Sequence, residues 1–270
     1  MKPISRRSFL KTGSTAAAAL TMLPAWRKGW FNFSNVQMTG YFEQEFGITA
    51  ELCRKVLAQA LHRGGDFADL YFEHTISNWL ILEDGQVNQA YGSISLGVGI
   101  RTVKGEQVGY GFTQELNEKS MLAAAATAAT IASANPNQPA GEFVALNIQN
   151  FYPLATLLTD VPLESKLPLV QTVNDKCFAM SPLVVKVNAQ FHDQQKRIMI
   201  ITSDGTKAED LQPRNYLMVN VVAEKDGRRE RAGWNMGGRQ NFSFYNADVV
   251  DIIAKTAIDR VLVLFEAVQP

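Results

Sequence analysis

Residues 64–113 read GGDFADLYFEHTISNWLILEDGQVNQAYGSISLGVGIRTVKGEQVGYGFT, and the fold follows from them. The run Asp69-Leu70-Tyr71-Phe72-Glu73 is rich in strand formers and Asp84-Gly85 is a turn signal. Lys104-Gly105-Glu106 predicts a hairpin turn between strands at 95–103 and 108–113. The stretch thus reads as four strands of an antiparallel sheet. Gly97, Gly99, Gly105, Gly109 and Gly111 recur through the last hairpin. Glycine inside strands marks bulges or close backbone approach, so these positions imply either sheet curvature or an extended peptide or second chain against the backbone. Gly97-x-Gly99-x-Arg101 is not a nucleotide fingerprint, because no helix follows the glycine pair.

Working outward, Thr49 is a helix N-cap, with Leu52, Cys53, Val56, Leu57 and Ala60 on one face and Gly64-Gly65 as the stop. Asn117 caps an alanine-rich helix to about Ala134, suited to close packing on a sheet and ended by Asn135-Pro136-Asn137-Gln138-Pro139. Residues 141–159 form a looser crossing segment between two halves. The second half predicts a helix at 163–180, a strand at 182–191, a turn at His192-Asp193-Gln194-Gln195 and a strand at 197–202. Ser203-Asp204-Gly205 then turns the chain, and strands at 214–224 and 229–239 are joined by Lys225-Asp226-Gly227. Asn246 caps a last helix with Val250, Ile253, Ala257, Val261 and Leu264 on its buried stripe. Helix, four strands and helix occur twice, the pattern of an internal duplication, with Leu82-Glu83-Asp84-Gly85 matching Thr202-Ser203-Asp204-Gly205. The fold class is α+β, two helix–four-strand–helix units at 48–140 and 141–270, antiparallel sheets flanked by helices. A single continuous, highly twisted sheet is the alternative arrangement.

The first 25 residues lie outside this fold. Ser5-Arg6-Arg7-Ser8-Phe9-Leu10-Lys11, followed by a mildly apolar stretch and Ala25, reads as a twin-arginine export signal, with Arg6 and Arg7 as its motif. The expected location is periplasmic or extracytoplasmic, with no membrane association unless the signal is retained. Aromatic residues 26–47 form a linker or an N-terminal arm. The whole chain balances 26 basic against 26 acidic residues and has no polybasic stripe, which argues against nucleic-acid binding. Removal of 1–25 takes Lys2, Arg6, Arg7 and Lys11 and no acid, leaving the mature chain at net −4. Cys53 and Cys177 sit among apolar neighbours as two buried thiols; a bridge between them requires Cα atoms within about 7 Å.

Catalytic signals are absent from the residues themselves. His62, His74 and His192 have no i, i+4 partner, and the two cysteines form no Cys-x-x-Cys pair. His62 ends a helix, His74 faces away from Glu73 along a strand, and His192 falls in the expected turn. No Gly-x-Ser-x-Gly turn occurs.

Three spaced pieces carry a family resemblance: Gly64-Gly65-Asp66-Phe67-Ala68-Asp69-Leu70-Tyr71, Leu82-Glu83-Asp84-Gly85, and Gly97-Val98-Gly99-Ile100-Arg101 through Gly105-Glu106 to Gly109-Tyr110. In this order they resemble the N-terminal signature of the TldD/PmbA family, from about Ile48 to the C-terminus. The resemblance implies a zinc metallopeptidase whose His-Glu-x-x-x-His helix lies in a C-terminal domain that is not in this sequence. It therefore implies no catalytic or metal residue and no cofactor in this chain, with zinc in the further domain. Gly65, Asp69, Gly85, Gly97, Gly99, Arg101, Gly105 and Gly109 are the signature positions, structural or facing a peptide through their backbone. The implied function is the N-terminal part of an exported peptidase, inactive alone and framing a cleft for extended or unfolded peptides. The alternative is a non-catalytic subunit, and either reading implies a homo- or hetero-oligomer with a TldD/PmbA-type partner. The segment 261–270 resembles the one that closes the N-terminal half in the family, so the stop at Pro270 reads as a truncated or split product. The gyrase-modulator description of some members gains no support from this charge balance.

Overall fold

The computed structural model describes residues 40–132, 134–151 and 153–267. The export signal with Arg6 and Arg7, most of the 26–47 stretch and the last three residues lie outside the described residues. In chain order the elements are α1 (Tyr41–Phe46), α2 (Ala50–Leu61), β1 (Phe67–Glu83), β2 (Gln86–Lys104), β3 (Gln107–Thr113) and α3 (Glu118–Ala128). Then follow β4 (Val144–Ala145), α4 (Leu163–Met180), β5 (Val184–Thr202), β6 (Thr206–Lys225), β7 (Arg228–Gly238) and α5 (Ala247–Val263).

The expected caps are in place. Thr49 Oγ1 accepts the Leu52 amide at 3.2 Å, Asn117 Oδ1 that of Ser120 at 2.9 Å, and Asn246 Oδ1 that of Val249 at 3.0 Å. Each satisfies one of the amides a helix start leaves unpaired. At the β1–β2 turn Asp84 and Gly85 both adopt positive φ, 49° and 80°, the geometry that favours Asp-Gly in tight hairpins. α1 ends the stretch read as linker or arm, and its Phe42 is fully buried.

The α+β class holds, with antiparallel long strands and flanking helices, but the strand count differs. Each unit has three long strands rather than four, and both share one sheet, in the order β3-β2-β1-β5-β6, with β4 and β7 beside β6. The order helix–three strands–helix occurs twice, and the pairing is symmetric about the antiparallel β1–β5 contact, from Asp69↔Thr202 to Glu83↔Asn188. The turn expected at 192–195 is a correction: those residues are the middle of β5, opposite Trp79 to Ile76 on one side and Tyr216 to Pro213 on the other. Their polarity marks a crossing between two apolar cores, where Asp193, Gln194 and Gln195 find hydrogen-bond partners within the protein, and not a solvated turn.

Long central strands allow that crossing. β1 sends Ala68, Leu70 and Phe72 into the first core and Leu80 and Leu82 into the second. β5 does the reverse, with Val187, Ala189 and Phe191 in the second core and Met199 and Ile201 in the first. Each fully buried side chain of this size contributes about 1.5–3 kcal/mol, so the shared strands couple the two cores. Cys53 and Cys177 are buried free thiols in different cores. Burial pushes both up to about 12, as expected for thiols that pack and do not react.

Candidate functional site

Between the cores, the β1–β5 crossing carries polar residues on both faces of the sheet. On the helix-covered face Asp193, 1% exposed, accepts Lys166 Nζ at 2.9 Å and Asn78 Nδ2 at 2.9 Å. Lys166 also donates to the Leu158 carbonyl at 2.7 Å, and Thr159 donates to Gln195 at 2.7 Å. A buried pair of this kind is held by geometry, since loss of one partner strands a charge at a cost of about 3–5 kcal/mol. A cavity of about 400 Å³ opens beside it, with Trp79, Tyr91, Thr159, Pro162 and Lys166 in its wall.

The other face carries no helix contact in either core and presents a row of rings. Tyr91, Trp79, His192 and Tyr216 stand directly opposite one another on β2, β1, β5 and β6. Their ring centroids are 4.9, 4.6 and 4.9 Å apart in sequence along the row. His192 is 7% exposed, and neither ring nitrogen has a hydrogen-bond partner among the described residues. Burial, with Arg214 adding to it, holds its pKa below the usual histidine value against the pull of Asp193. Farther along this face Glu73 accepts Lys196 Nζ at 3.0 Å, Tyr71 OH at 3.0 Å and Thr75 Oγ1 at 2.9 Å. Burial opposes ionisation of Glu73, but these donors together hold its pKa below the ordinary carboxylate value.

The signature positions are spread along β1, β2 and β3. Asp69 and Arg101 pair across β1 and β2, with Nε to Oδ2 at 2.8 Å. Gly105 turns β2 into β3 and donates its amide to Asp66 at 2.8 Å, while Gly85 donates to Asn174 at 3.1 Å. Gly65 lies against Thr102, and Gly109 against the Ala128 carbonyl of α3, so the close approach there is to the protein's own helix. Gly97 and Gly99 line a shallow cavity of about 280 Å³ walled by Tyr71, Glu73, Tyr110 and Phe112, with the Thr113 carbonyl packed close to Gly97 and the Tyr110 ring close to Gly99. Beside it, residues 86–97 of β2 pair only with β1, because the β2–β3 register begins at Val98↔Thr113. This free edge exposes Val87, Tyr91 and Ile94, the last at 71%.

Comparison with known proteins places the chain. Residues 68–132 match the sequence model described as PmbA/TldA metallopeptidase domain 1, and residues 157–265 match that described as PmbA/TldA metallopeptidase central domain. The chain belongs to the TldD/PmbA family. It is 32% identical over 218 residues to the metalloprotease TldD homolog of Haemophilus influenzae, a span of 77% of this chain and 44% of that protein. The corresponding protein of Buchnera aphidicola from Acyrthosiphon pisum is 24% identical, over 72% of this chain and 39% of its own length. The chain thus spans less than half the length of these relatives.

The fold of this TldD/PmbA chain is shared with solved structures. A Bacteroides thetaiotaomicron protein described as a candidate modulator of DNA gyrase superposes with TM-score 0.64 at 16% identity, covering 80% of this chain and 50% of the other. TldE of Thermococcus kodakarensis superposes with TM-score 0.53 at 14% identity, covering 78% and 47%. Among the described residues no group of three or more His, Cys, Asp or Glu lies close enough together to hold a metal ion. His62 Nδ1 bonds the Gln59 carbonyl at 2.6 Å, His74 Nδ1 meets Tyr41 OH at 2.6 Å, and His192 lies in the ring row. That row is the feature sequence reasoning missed. Its signal was an aromatic or imidazole ring at the matched register of four strands, legible only once the pairing is known.

Proposed function

We propose that this chain is the non-catalytic, peptide-framing part of an exported TldD/PmbA-type metallopeptidase. Hydrolysis then belongs to a zinc-bearing C-terminal domain of the family, on this or a companion polypeptide. What supports the reading is the pair of family-domain matches at 68–132 and 157–265. The twin-arginine motif at Arg6 and Arg7 supports export of the folded protein. The free edge of β2 at 86–97, next to Gly97 and Gly99, suits an extended peptide that adds as a strand, with backbone hydrogen bonds supplying affinity and the 280 Å³ cavity receiving a side chain.

The test is zinc content and hydrolysis of unstructured peptides by the purified mature chain, alone and with a polypeptide bearing the family's C-terminal domain, with a chelator as control. We expect zinc and chelator-sensitive hydrolysis only in the combination. Stoichiometric zinc or chelator-sensitive hydrolysis by this chain alone overturns the reading.

A further inference from the structure

The free stretch of β2 borders two cavities, one on each face of the sheet. Gly97 lies opposite Glu73 and lines the 280 Å³ cavity on the helix-free face. Ala90 and Gly92 lie opposite Leu80 and Asn78, so they face the helices and line the 400 Å³ cavity beside the Lys166–Asp193 pair. Both are exposed, and neither has a side chain large enough to close the mouth. A Cβ at position 92 would come within 3.1 Å of Asn78 Oδ1. Inside, Leu80, Phe191 and Pro162 make one part of the wall apolar, while Asn78, Asp193 and Lys166 make the other polar. Lys166 donates two of its three ammonium protons, to Leu158 and Asp193, and the third has no acceptor among the described residues. The buried charges already balance. An entering ammonium would lie beside Lys166, and an entering carboxylate beside Asp193 and the exposed Asp160. A neutral ring with one polar end fits both parts of the wall.

We propose that the 400 Å³ cavity takes a tyrosine side chain from a peptide paired with the free edge of β2. The tyrosine lies opposite Gly92, its ring against Leu80 and Phe191 and its hydroxyl accepting the third proton of Lys166. Successive side chains of a strand point to opposite faces. Gly92 and Gly97 are five residues apart, so the peptide residue opposite Gly97 turns to the other face and its 280 Å³ cavity. The edge thus reads two side chains five places apart. The proposal deepens the strand-addition reading and rests on it.

The test is an NMR titration of the full chain with short threonine-rich peptides, acetylated and amidated, that carry tyrosine and leucine five places apart in either order. In companion peptides the tyrosine becomes phenylalanine, alanine, lysine or glutamate, or the leucine moves by one place. The tyrosine peptide is expected to bind roughly tenfold or more tightly than the alanine peptide, through burial of the ring. It should bind about fivefold more tightly than the phenylalanine peptide, through the hydroxyl hydrogen bond. Lysine and glutamate should bind no better than alanine. Moving the leucine by one place turns it to the wrong face and should weaken binding several-fold. Gly92→Val closes the mouth and should bring the tyrosine peptide down to the affinity of the alanine peptide, which itself stays unchanged. Amide shifts at 86–97 with all peptides binding alike, or a tyrosine preference that survives Gly92→Val, overturn the pocket and leave strand addition standing. Phenylalanine, lysine or glutamate binding as tightly as tyrosine overturns the tyrosine assignment. No amide shift at 86–97 with any peptide overturns the pocket and strand addition together. No zinc or hydrolysis is read, so none of these outcomes bears on where the metal lies.

Discussion

Residues 86–97 of β2 and 206–214 of β6 hold matching places: each is the first part of the strand that follows a central one, and each has a long neighbour on only one side. Their surroundings differ. The turn before β6 and the start of the β6 stretch are met by residues 140–146, where the amides of Ala140, Val144 and Leu146 bond the carbonyls of Ser203, Gly205 and Lys207 at 2.8, 2.7 and 2.7 Å. The β2 stretch is bare and apolar at Val87, Tyr91 and Ile94. Natural sheets cover or charge an edge of this kind unless something pairs with it. Of two similar edges, the uncovered one is therefore the place to look for a peptide or partner strand.

The halves also differ in how the outer strand meets its helix. β3 packs against α3 through Gly109 and Gly111, where any Cβ would collide with the carbonyls of Ala128 and Ala124. β7 meets α5 through large side chains, Trp234 and Met236, with Arg260 stacked 4.3 Å over the Trp234 ring. The first contact has backbone against backbone and no slack; the second has side chains that can readjust.

The largest effect expected from these contrasts is at the tight contact. Gly111→Val must push α3 off the sheet, and it should lower stability by about 3 kcal/mol, the upper part of the usual range for overpacking. Urea unfolding measures this, and a loss below about 1 kcal/mol would mean that α3 is as adjustable as α5.

An intermediate effect concerns one histidine from each half. His74 and His192 are both held below the usual pKa near 6.5, by burial first and by Arg197 and Arg214 respectively. The unfolded chain then binds protons that the folded chain refuses, so stability falls as pH drops below about 6.5 and continues to fall until the folded pKa values are passed. His192→Phe should flatten part of this loss and His74→Phe the rest, as read from urea midpoints between pH 7 and 5. An unchanged slope in both variants refutes the assignment.

The smallest change in stability belongs to the bare edge. Ile94→Lys alters an exposed side chain and should move stability by no more than about 0.5 kcal/mol. Under the strand-addition reading it should still weaken peptide or partner association several-fold. Unchanged association would remove the functional meaning of the difference between the two edges.

Much of this architecture was legible in the residues. The helix starts at Thr49, Asn117 and Asn246 and the turns at Asp84-Gly85 and Asp226-Gly227 depend on a few neighbouring atoms, which is why local chemistry reveals them. The alanine face of the third helix was readable as close packing on a sheet, whereas Gly109 and Gly111, read as sheet curvature or the approach of a peptide or second chain, turn out to be where that helix meets the sheet. The ring row was not readable, because Tyr91, Trp79, His192 and Tyr216 are brought into line by strand register alone.

The amino-acid sequence by itself determined the helices, their caps, the Asp84-Gly85 and Asp226-Gly227 turns and the repetition of the helix–strands–helix order, since period, caps and turn chemistry act over a few residues. Tertiary structure decided that the two units share one sheet, that β5 runs unbroken through His192-Asp193-Gln194-Gln195, and that Lys166 and Asp193 meet out of water. A polar run looks the same in sequence whether water or a distant side chain satisfies it. The pairing of β5 with β1, across more than a hundred residues of chain, and with β6 on its other side supplies the partners that make it a strand.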